Sequence, residues 1–497
     1  MIALSARARW WLFALATLLY ACAFQGVRPL YSPDEGRYTD VALAMLDDGD
    51  WLHPMLHHEV PHWSKPPLTY WSIAASLATF GHSEFAARLP GALAFAMTIL
   101  LLGRLGRRFV PRQPWLAALV YASFAFPSAA SNLVTTDTLL ALWQVLQVVA
   151  FVESWWARTP AEARRARLLL GLALGLAFLT KGPPGLLAFA ACLAFAGWSE
   201  GWHGLCRAFG WEALLLFLVV GGGWYALIVS QDPRVLRYFL VEEVVNRVAS
   251  DKMHRNAQWY GALQVYLPTL LLGSLPWLPV LAVGAWKHRR DALARVRADP
   301  QLRLLACWLL LPLLVFMLAR SRLPLYVLPL FSPLALLVAR RLAPMAPKLH
   351  WHALLAVWCL ALVVARALPA WLDFENDDRA LAAAISARMA PLPDEIAFVE
   401  VAPRFGLRFY LGSEIERLEL PDDPPRAQAQ DLATELLEHE GCRLLLVSPE
   451  RRAPLERALA MRRAEWVRVG ELRGYAALAQ FSADCAWRAD AGGMLRR

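Results

Sequence analysis

In a chain that is mostly apolar, the residues able to do chemistry gather at a few points. Behind the first hydrophobic run stands Tyr31-Ser32-Pro33-Asp34-Glu35-Gly36-Arg37-Tyr38. A carboxylate at a membrane–water boundary can orient or deprotonate an acceptor, or hold a divalent ion. The same stretch also suits a plainer part. Ser32 or Asp34 could cap a helix running from Tyr38 to Leu46, whose Val41, Leu43, Ala44 and Met45 fit an amphipathic surface helix. Asp137, in Asn132-Leu133-Val134-Thr135-Thr136-Asp137, is a second candidate pocket carboxylate, and it equally suits a helix N-terminus. His62-Trp63-Ser64-Lys65-Pro66-Pro67 holds a lysine in a proline-stiffened turn, either to touch a phosphate or to snorkel to the interface. Thr180-Lys181-Gly182-Pro183-Pro184-Gly185 reads as a rigid turn with Lys181 near the pocket. Tyr326, in Ser321-Arg322-Leu323-Pro324-Leu325-Tyr326, could hydrogen-bond a phosphate or belong to an interfacial tyrosine belt. His53, His57, His58 and His62 suggest a metal, but their spacing fits no closed site, so a divalent ion stays an open question.

The elements that must position these residues are membrane helices. Of 497 residues, 58% are hydrophobic and 18% charged, and the mean hydropathy is +0.38. This is the profile of an α-helical polytopic membrane protein. A crossing needs about 20 apolar residues. Candidate spans are 10–27, 86–103, 114–131, 137–153, 167–180, 183–199, 211–230, 260–285, 302–319, 323–340 and 350–369. The run 67–81 is too short for a full span and suits an interfacial or re-entrant piece, so the expectation is about 11–13 transmembrane helices. The first run follows Arg7 and Arg9 without a cleavage pattern and reads as a retained helix with a cytoplasmic N-terminus. Alternate loops then carry the arginines and lysines expected of the cytoplasmic side, and an odd number of crossings puts residues 371–497 outside. The net charge of +9 thus reflects topology and anionic membrane lipids, not nucleic acid.

Some cations resist that bias. Arg28, Arg37, Lys65 and Arg88 fall in or near the first outer loop, Arg234, Arg237, Arg247, Lys252 and Arg255 in loop 231–259, and Arg320 and Arg322 at a later outer end. They could neutralise an anionic head group, or simply pair with Asp232, Glu242, Glu243 and Asp251. The tail has strand patterns at Glu395–Val401, Arg417–Leu420 and Arg443–Val447, a helix at Leu432–Glu438 and a hairpin in Val467–Phe481, which together predict a small α/β domain. Five cysteines lie in or beside apolar runs. In an exported tail, a disulfide between Cys442 and Cys485 is permitted. The expected division is a membrane domain with catalytic loops over 1–370 and a periplasmic α/β domain over 371–497.

Taken in order, the acidic pair, Lys65-Pro66-Pro67, Thr136-Asp137, Phe178-Leu179-Thr180-Lys181-Gly182-Pro183 and Ser321 to Pro329 resemble the bacterial lipid A aminoarabinose transferase (ArnT-like) glycosyltransferases. These are relatives of the protein O-mannosyltransferases within the GT-C fold. The resemblance covers roughly residues 10–340. It implies an inner-membrane enzyme that takes a sugar from a polyprenyl (undecaprenyl) phosphate carrier and passes it to a periplasmic acceptor, such as lipid A, a protein or another glycan. It implies that Asp34, with Glu35 beside it, is the key first-loop carboxylate and Asp137 a second one. It implies that Lys65, Arg247 and Tyr326 hold the carrier phosphate, with Arg37 and Arg322 as further cations. Arg247 follows Glu243 in the family's Glu-x-x-x-Arg spacing. Ser64 stands where the family often has glutamate, and no histidine follows Glu243. The rival classes are a lipid flippase, which would place ionisable groups at mid-membrane depth in repeated halves, and a scaffold whose tail binds a partner.

Overall fold

The computed structural model describes residues 5–57, 60–245, 256–344, 349–372, 374–420, 430–432, 442–461 and 466–480. Each expected span falls on helix. Six helices among the described residues are long and apolar enough to cross a membrane, or seven if the bent pair Gly261–Gly273 and Leu278–His288 counts as one. The other candidates fall short for visible reasons. Ala6–Cys22 has only 17 residues, and Pro160–Lys181 begins with Glu162, Arg164, Arg165 and Arg167. Leu187–Ala208 kinks at Gly201, whose φ of 58° no ordinary helical residue adopts. The expected span 114–131 is divided at Phe124, which is extended between Leu116–Ser123 and Ala125–Ala130. The short run becomes Leu68–Phe80, 13 residues long.

The chain divides into two compact units: Met1–Gln25, Trp63–Ser72 and Arg88–Leu368 in one, and Gly26–His62, Ile73–Ala87 and Pro369–Arg497 in the other. The first is the helical bundle. Its core is aromatic and aliphatic, with Phe95, Phe124, Phe151, Phe195, Trp308 and Phe331 buried together. Helices there approach through small residues, as expected where lipid supplies no hydrophobic drive between them. At Gly171 an added Cβ would sit 2.4 Å from the Ala213 carbonyl oxygen. Arg366, 4% exposed, is buried with partners, donating to the Tyr20 carbonyl at 2.8 Å and to the Ser128 and Ser131 hydroxyls at 3.0 and 3.1 Å.

The second unit holds a six-stranded sheet in the spatial order Gln430–Asp431, Glu414–Glu419, Glu395–Val399, Arg443–Val447, Tyr475–Gln480, Trp466–Leu472. The first four strands are parallel, and the last two join antiparallel as a hairpin. Apolar clusters cover both faces, one around Ile396, Phe398, Leu444 and Leu446 and the other around Val399, Leu418, Leu445 and Val447. Fully buried central strands of this kind are expected of parallel pairing. Cys442 is disulfide-bonded; Cys485 and the helix expected after Leu432 lie outside the described residues.

Also in this unit is the helix Asp34–Asp48. It is no lipid-surface helix: Glu35, Gly36 and every residue from Tyr38 to Met45 are buried, and it packs against the short helix Gly406–Leu411. The approach is so close that a Cβ on Gly36 would lie 2.4 Å from the Gly406 nitrogen.

Candidate functional site

In the bundle, three sequence-distant residues converge. Thr135 caps the helix Thr136–Trp155, and its hydroxyl accepts from the Asp137 N–H, which fixes Asp137 in the first turn. Lys181 is the last residue of Pro160–Lys181, stopped by Gly182 at φ 65° and the prolines after it. Its Nζ donates to Asp137 Oδ1 at 2.5 Å, with both side chains less than a tenth exposed. The same ammonium lies 4.6 Å from the centroid of the Tyr326 ring, a cation–π distance. Tyr326 is carried by the 3-10 helix Pro324–Leu330. The cluster is a buried cation oriented by one carboxylate and one aromatic face, with two of its three ammonium hydrogens left for other acceptors once Asp137 has taken one. Lys65, 8% exposed, donates to its neighbour Ser64's carbonyl at 2.6 Å.

In the second unit the acidic pair splits into two different parts. Glu35 is 3% exposed and accepts from Arg28 Nη1 and Nη2, at 2.6 and 2.7 Å. It also accepts from the Tyr31 N–H at 3.1 Å. This is a bidentate brace across the turn that starts the helix. Asp34 is more open and pairs with Arg37 at 2.5 Å. Neither Ser32 nor Asp34 caps the helix, since Pro33 occupies the cap position without a side-chain bond. Ser32 instead donates its hydroxyl to Asp378 at 2.8 and 2.9 Å, and Asp378 also accepts from Arg404 Nε at 2.8 Å. Backbone bonds run alongside, Ser32 N–H to Asn376 O at 3.1 Å and Asp378 N–H to Leu30 O at 3.2 Å.

Burial pushes the Asp378 carboxyl up to about 6, against the opposing pull of Arg404. A proton held more tightly in the folded state stabilises it below the unfolded pKa of about 4, and that gain is lost as pH rises to about 6, by roughly 3 kcal/mol. Amide exchange at residues 30–36 and 376–381, corrected for intrinsic rates, should therefore slow on acidification from neutral pH to about pH 5. Asp378→Asn should flatten that response, and an unchanged slope in the variant would refute it.

Of the candidate phosphate ligands, Arg322 is 5% exposed and committed to the carbonyls of Asn256 and Gln258 at 2.8 and 2.6 Å. Arg247 lies outside the described residues, as do Lys252, Arg255 and His58. Arg88 is buried and donates to the Gln25 carbonyl at 2.9 Å. Arg234 pairs with Asp232 at 2.9 Å, the plainer of the two readings. His53 pairs with Asp50. No three His, Cys, Asp or Glu among the described residues come together as a metal-ligand set. With Glu35 on Arg28 and Asp34 on Arg37, the acidic pair does not fit a resident divalent ion. Lys181, which the sequence places near the pocket in the motif Phe178–Pro183 but not among the phosphate ligands, is the cation that the bundle sets on Asp137.

Over 96% of its length the chain superposes on the crystal structure of ArnT from Cupriavidus metallidurans bound to undecaprenyl phosphate, covering 99% of that chain with a TM-score of 0.76 at 19% identity. The apo form of that protein matches with a TM-score of 0.72. The chain is ArnT-like and of the GT-C type. Residues 64–224 match the family described as dolichyl-phosphate-mannose-protein mannosyltransferase. An undecaprenyl phosphate-alpha-4-amino-4-deoxy-L-arabinose arabinosyl transferase of Pseudomonas aeruginosa is 35% identical over 68% of this chain. One from Yersinia enterocolitica is 32% identical over 69%. The ArnT-like chain spans about 60% of the length of these curated relatives.

Proposed function

We propose that this ArnT-like chain is a multi-pass inner-membrane glycosyltransferase, which moves a sugar from undecaprenyl phosphate to a periplasmic acceptor of the lipid A or lipopolysaccharide type. The observation that carries the reading is the Lys181–Asp137–Tyr326 cluster, a preset cation beside a phenol, in a protein whose relatives are named for a lipid-phosphate sugar donor. The N-terminus is cytoplasmic, and residues 371–497 form the periplasmic domain beyond the membrane domain 1–370.

The reaction is a displacement at the anomeric carbon. An acceptor oxygen attacks from the face opposite the phosphate, the C1–O bond to phosphate breaks, and its electron pair leaves on the polyprenyl phosphate. Charge grows on that phosphate, so cations already in place stabilise the transition state more than the ground state. Lys65 and Lys181 take this part, with Asp137 orienting Lys181, the Tyr326 hydroxyl as a neutral donor, and Arg247 assigned to the same phosphate from its motif alone. Arg322 shapes the backbone near Asn256 rather than touching phosphate. Asp34 serves the acceptor, Arg37 orients Asp34, and Glu35 braces the turn. A lipid phosphate with a second pKa of about 6 is largely ionised at neutral pH and needs only orientation. A neutral hydroxyl would need Asp34 as general base. The match of residues 64–224 to the protein mannosyltransferase family supports a protein hydroxyl as the second reading of the acceptor.

Mass spectrometry of lipid A and polyprenyl lipids from a deletion strain, complemented with wild type or Asp34→Asn, tests this. Wild type should add a sugar mass to lipid A, and the variant should accumulate the carrier-linked sugar. Sugar on protein instead would select the second reading, and three identical profiles would sink the transferase.

A further inference from the structure

The helix that carries Asp137 in its first turn ends far from it, an axial rise of about 24 Å by the time it reaches Glu153. At that other end lies an open cavity of about 980 Å³, formed with the end of Glu84–Phe109 and the start of Pro160–Lys181. Five arginines line it: Arg104, Arg107, Arg108, Arg158 and Arg165. The lining carboxylates are Glu153 and Glu162, and both are engaged. Glu153 accepts from Arg104 Nη2 at 2.9 Å, and Glu162 accepts the Arg158 backbone N–H at 3.0 Å. The guanidiniums of Arg107, Arg108, Arg158 and Arg165 make no ion pair among the described residues. Arg108 lies 4.3 Å from the centroid of the Trp156 ring. Val152 and Leu169 give the cavity an apolar wall.

The rule that keeps cations on the cytoplasmic side accounts for the sign of these residues. It does not account for their convergence in a concavity, where like charges repel until an anion enters. The apolar wall and the indole distinguish the expected anion from a hydrated inorganic ion. They match the boundary between a phosphodiester and its acyl chains, the kind of basic pocket between helices that takes a lipid head group. We propose that this cavity binds the head group of an anionic phospholipid, with phosphodiester oxygens between Arg108 and Arg158 and acyl carbon against Val152, Leu169 and Trp156. The site is separate from the sugar-transfer cluster at the opposite end of the helix, and it does not depend on the identity of the acceptor.

The test uses full-length protein in nanodiscs of phosphatidylcholine with or without cardiolipin, with native mass spectrometry counting the lipid retained on release. Wild type should retain cardiolipin in preference to phosphatidylcholine. Arg108→Gln/Arg158→Gln should weaken that retention about 30-fold, the effect expected of losing two direct contacts to the phosphodiester. Arg112→Gln/Arg164→Gln removes the same charge outside the cavity lining and should retain cardiolipin as wild type does. Equal losses in both double variants would mean diffuse attraction and overturn the site, as would full retention in the cavity variant. Displacement of cardiolipin by millimolar inorganic phosphate would assign the cavity to a free anion and overturn the lipid. If the glutamine variant does not fold, Leu169→Trp, which fills the apolar wall at unchanged charge, must lose the same lipid or the proposal falls.

Discussion

Lys181→Met should lower turnover by about a hundred- to a thousandfold, the range for removing one preorganised donor from developing negative charge. The fall should appear in kcat and kcat/KM together, because the charge on the departing phosphate is larger in the transition state than in the bound donor. The same change leaves Asp137 buried without its partner. Breaking a buried pair from one side costs about 3–5 kcal/mol, so the variant should also melt earlier. The two effects can be separated. Asp137→Asn/Lys181→Met removes both charges and should recover most of the melting temperature, yet none of the activity. If the double variant regained turnover along with stability, Lys181 would be a structural residue and the phosphate would be held elsewhere. Rates measured with a purified polyprenyl phosphate sugar, beside thermal unfolding in the same detergent, decide between these outcomes.

The second large effect separates the two members of the acidic pair. Arg28→Met leaves the Glu35 carboxylate 3% exposed and facing no guanidinium from that position, and should destabilise the second unit by about 3–5 kcal/mol. Replacing both partners with methionine should restore much of this, because an apolar pair of similar volume also removes the carboxylate that lost its bidentate guanidinium. Glu35→Gln keeps the shape and part of the hydrogen bonding, so it should keep at least about a tenth of wild-type turnover. Asp34→Asn should lose about a hundredfold or more with a neutral hydroxyl acceptor, where Asp34 is the general base, and less with an ionised phosphate, which it only orients. The contrast is diagnostic. If Glu35→Gln abolished turnover at wild-type stability, Glu35 would be handling a proton, and the bracing part assigned from its two short bonds to Arg28 would be wrong.

The structure shows how far residue types alone carry. Helix placement was legible because crossing a bilayer demands length and apolarity that few other elements show. The strand Arg443–Val447 and the terminal hairpin were legible because a short apolar run between turn signals has few other fates. The breaks within spans were less so. Pro276 and Gly273 mark the bend in the pair Gly261–Gly273 and Leu278–His288, but its angle, 107°, depends on packing.

At the candidate site, residue type and position named the groups that could meet a phosphate or an acceptor: Asp34, Asp137 and Tyr326 lie in the first turns of helices and Lys65 in the turn before one, where polar groups meet the membrane–water boundary. Which of them work together was decided only in three dimensions. Arg28, Arg322 and Arg88 look, as types, like free outer-loop cations, but each is buried, where a guanidinium must be paired or hydrogen-bonded; their partners are Glu35, the Asn256 and Gln258 carbonyls, and the Gln25 carbonyl. Lys181 looked like part of a turn, until the bundle brought Asp137 to its ammonium and Tyr326 beneath it. The first-loop helix read as amphipathic on its own periodicity. It became a buried element through Gly36 and Gly406, two glycines 370 positions apart. Local chemistry sets what a residue can do. Burial and long-range pairing, which depend on contacts that periodicity does not encode, set what it does.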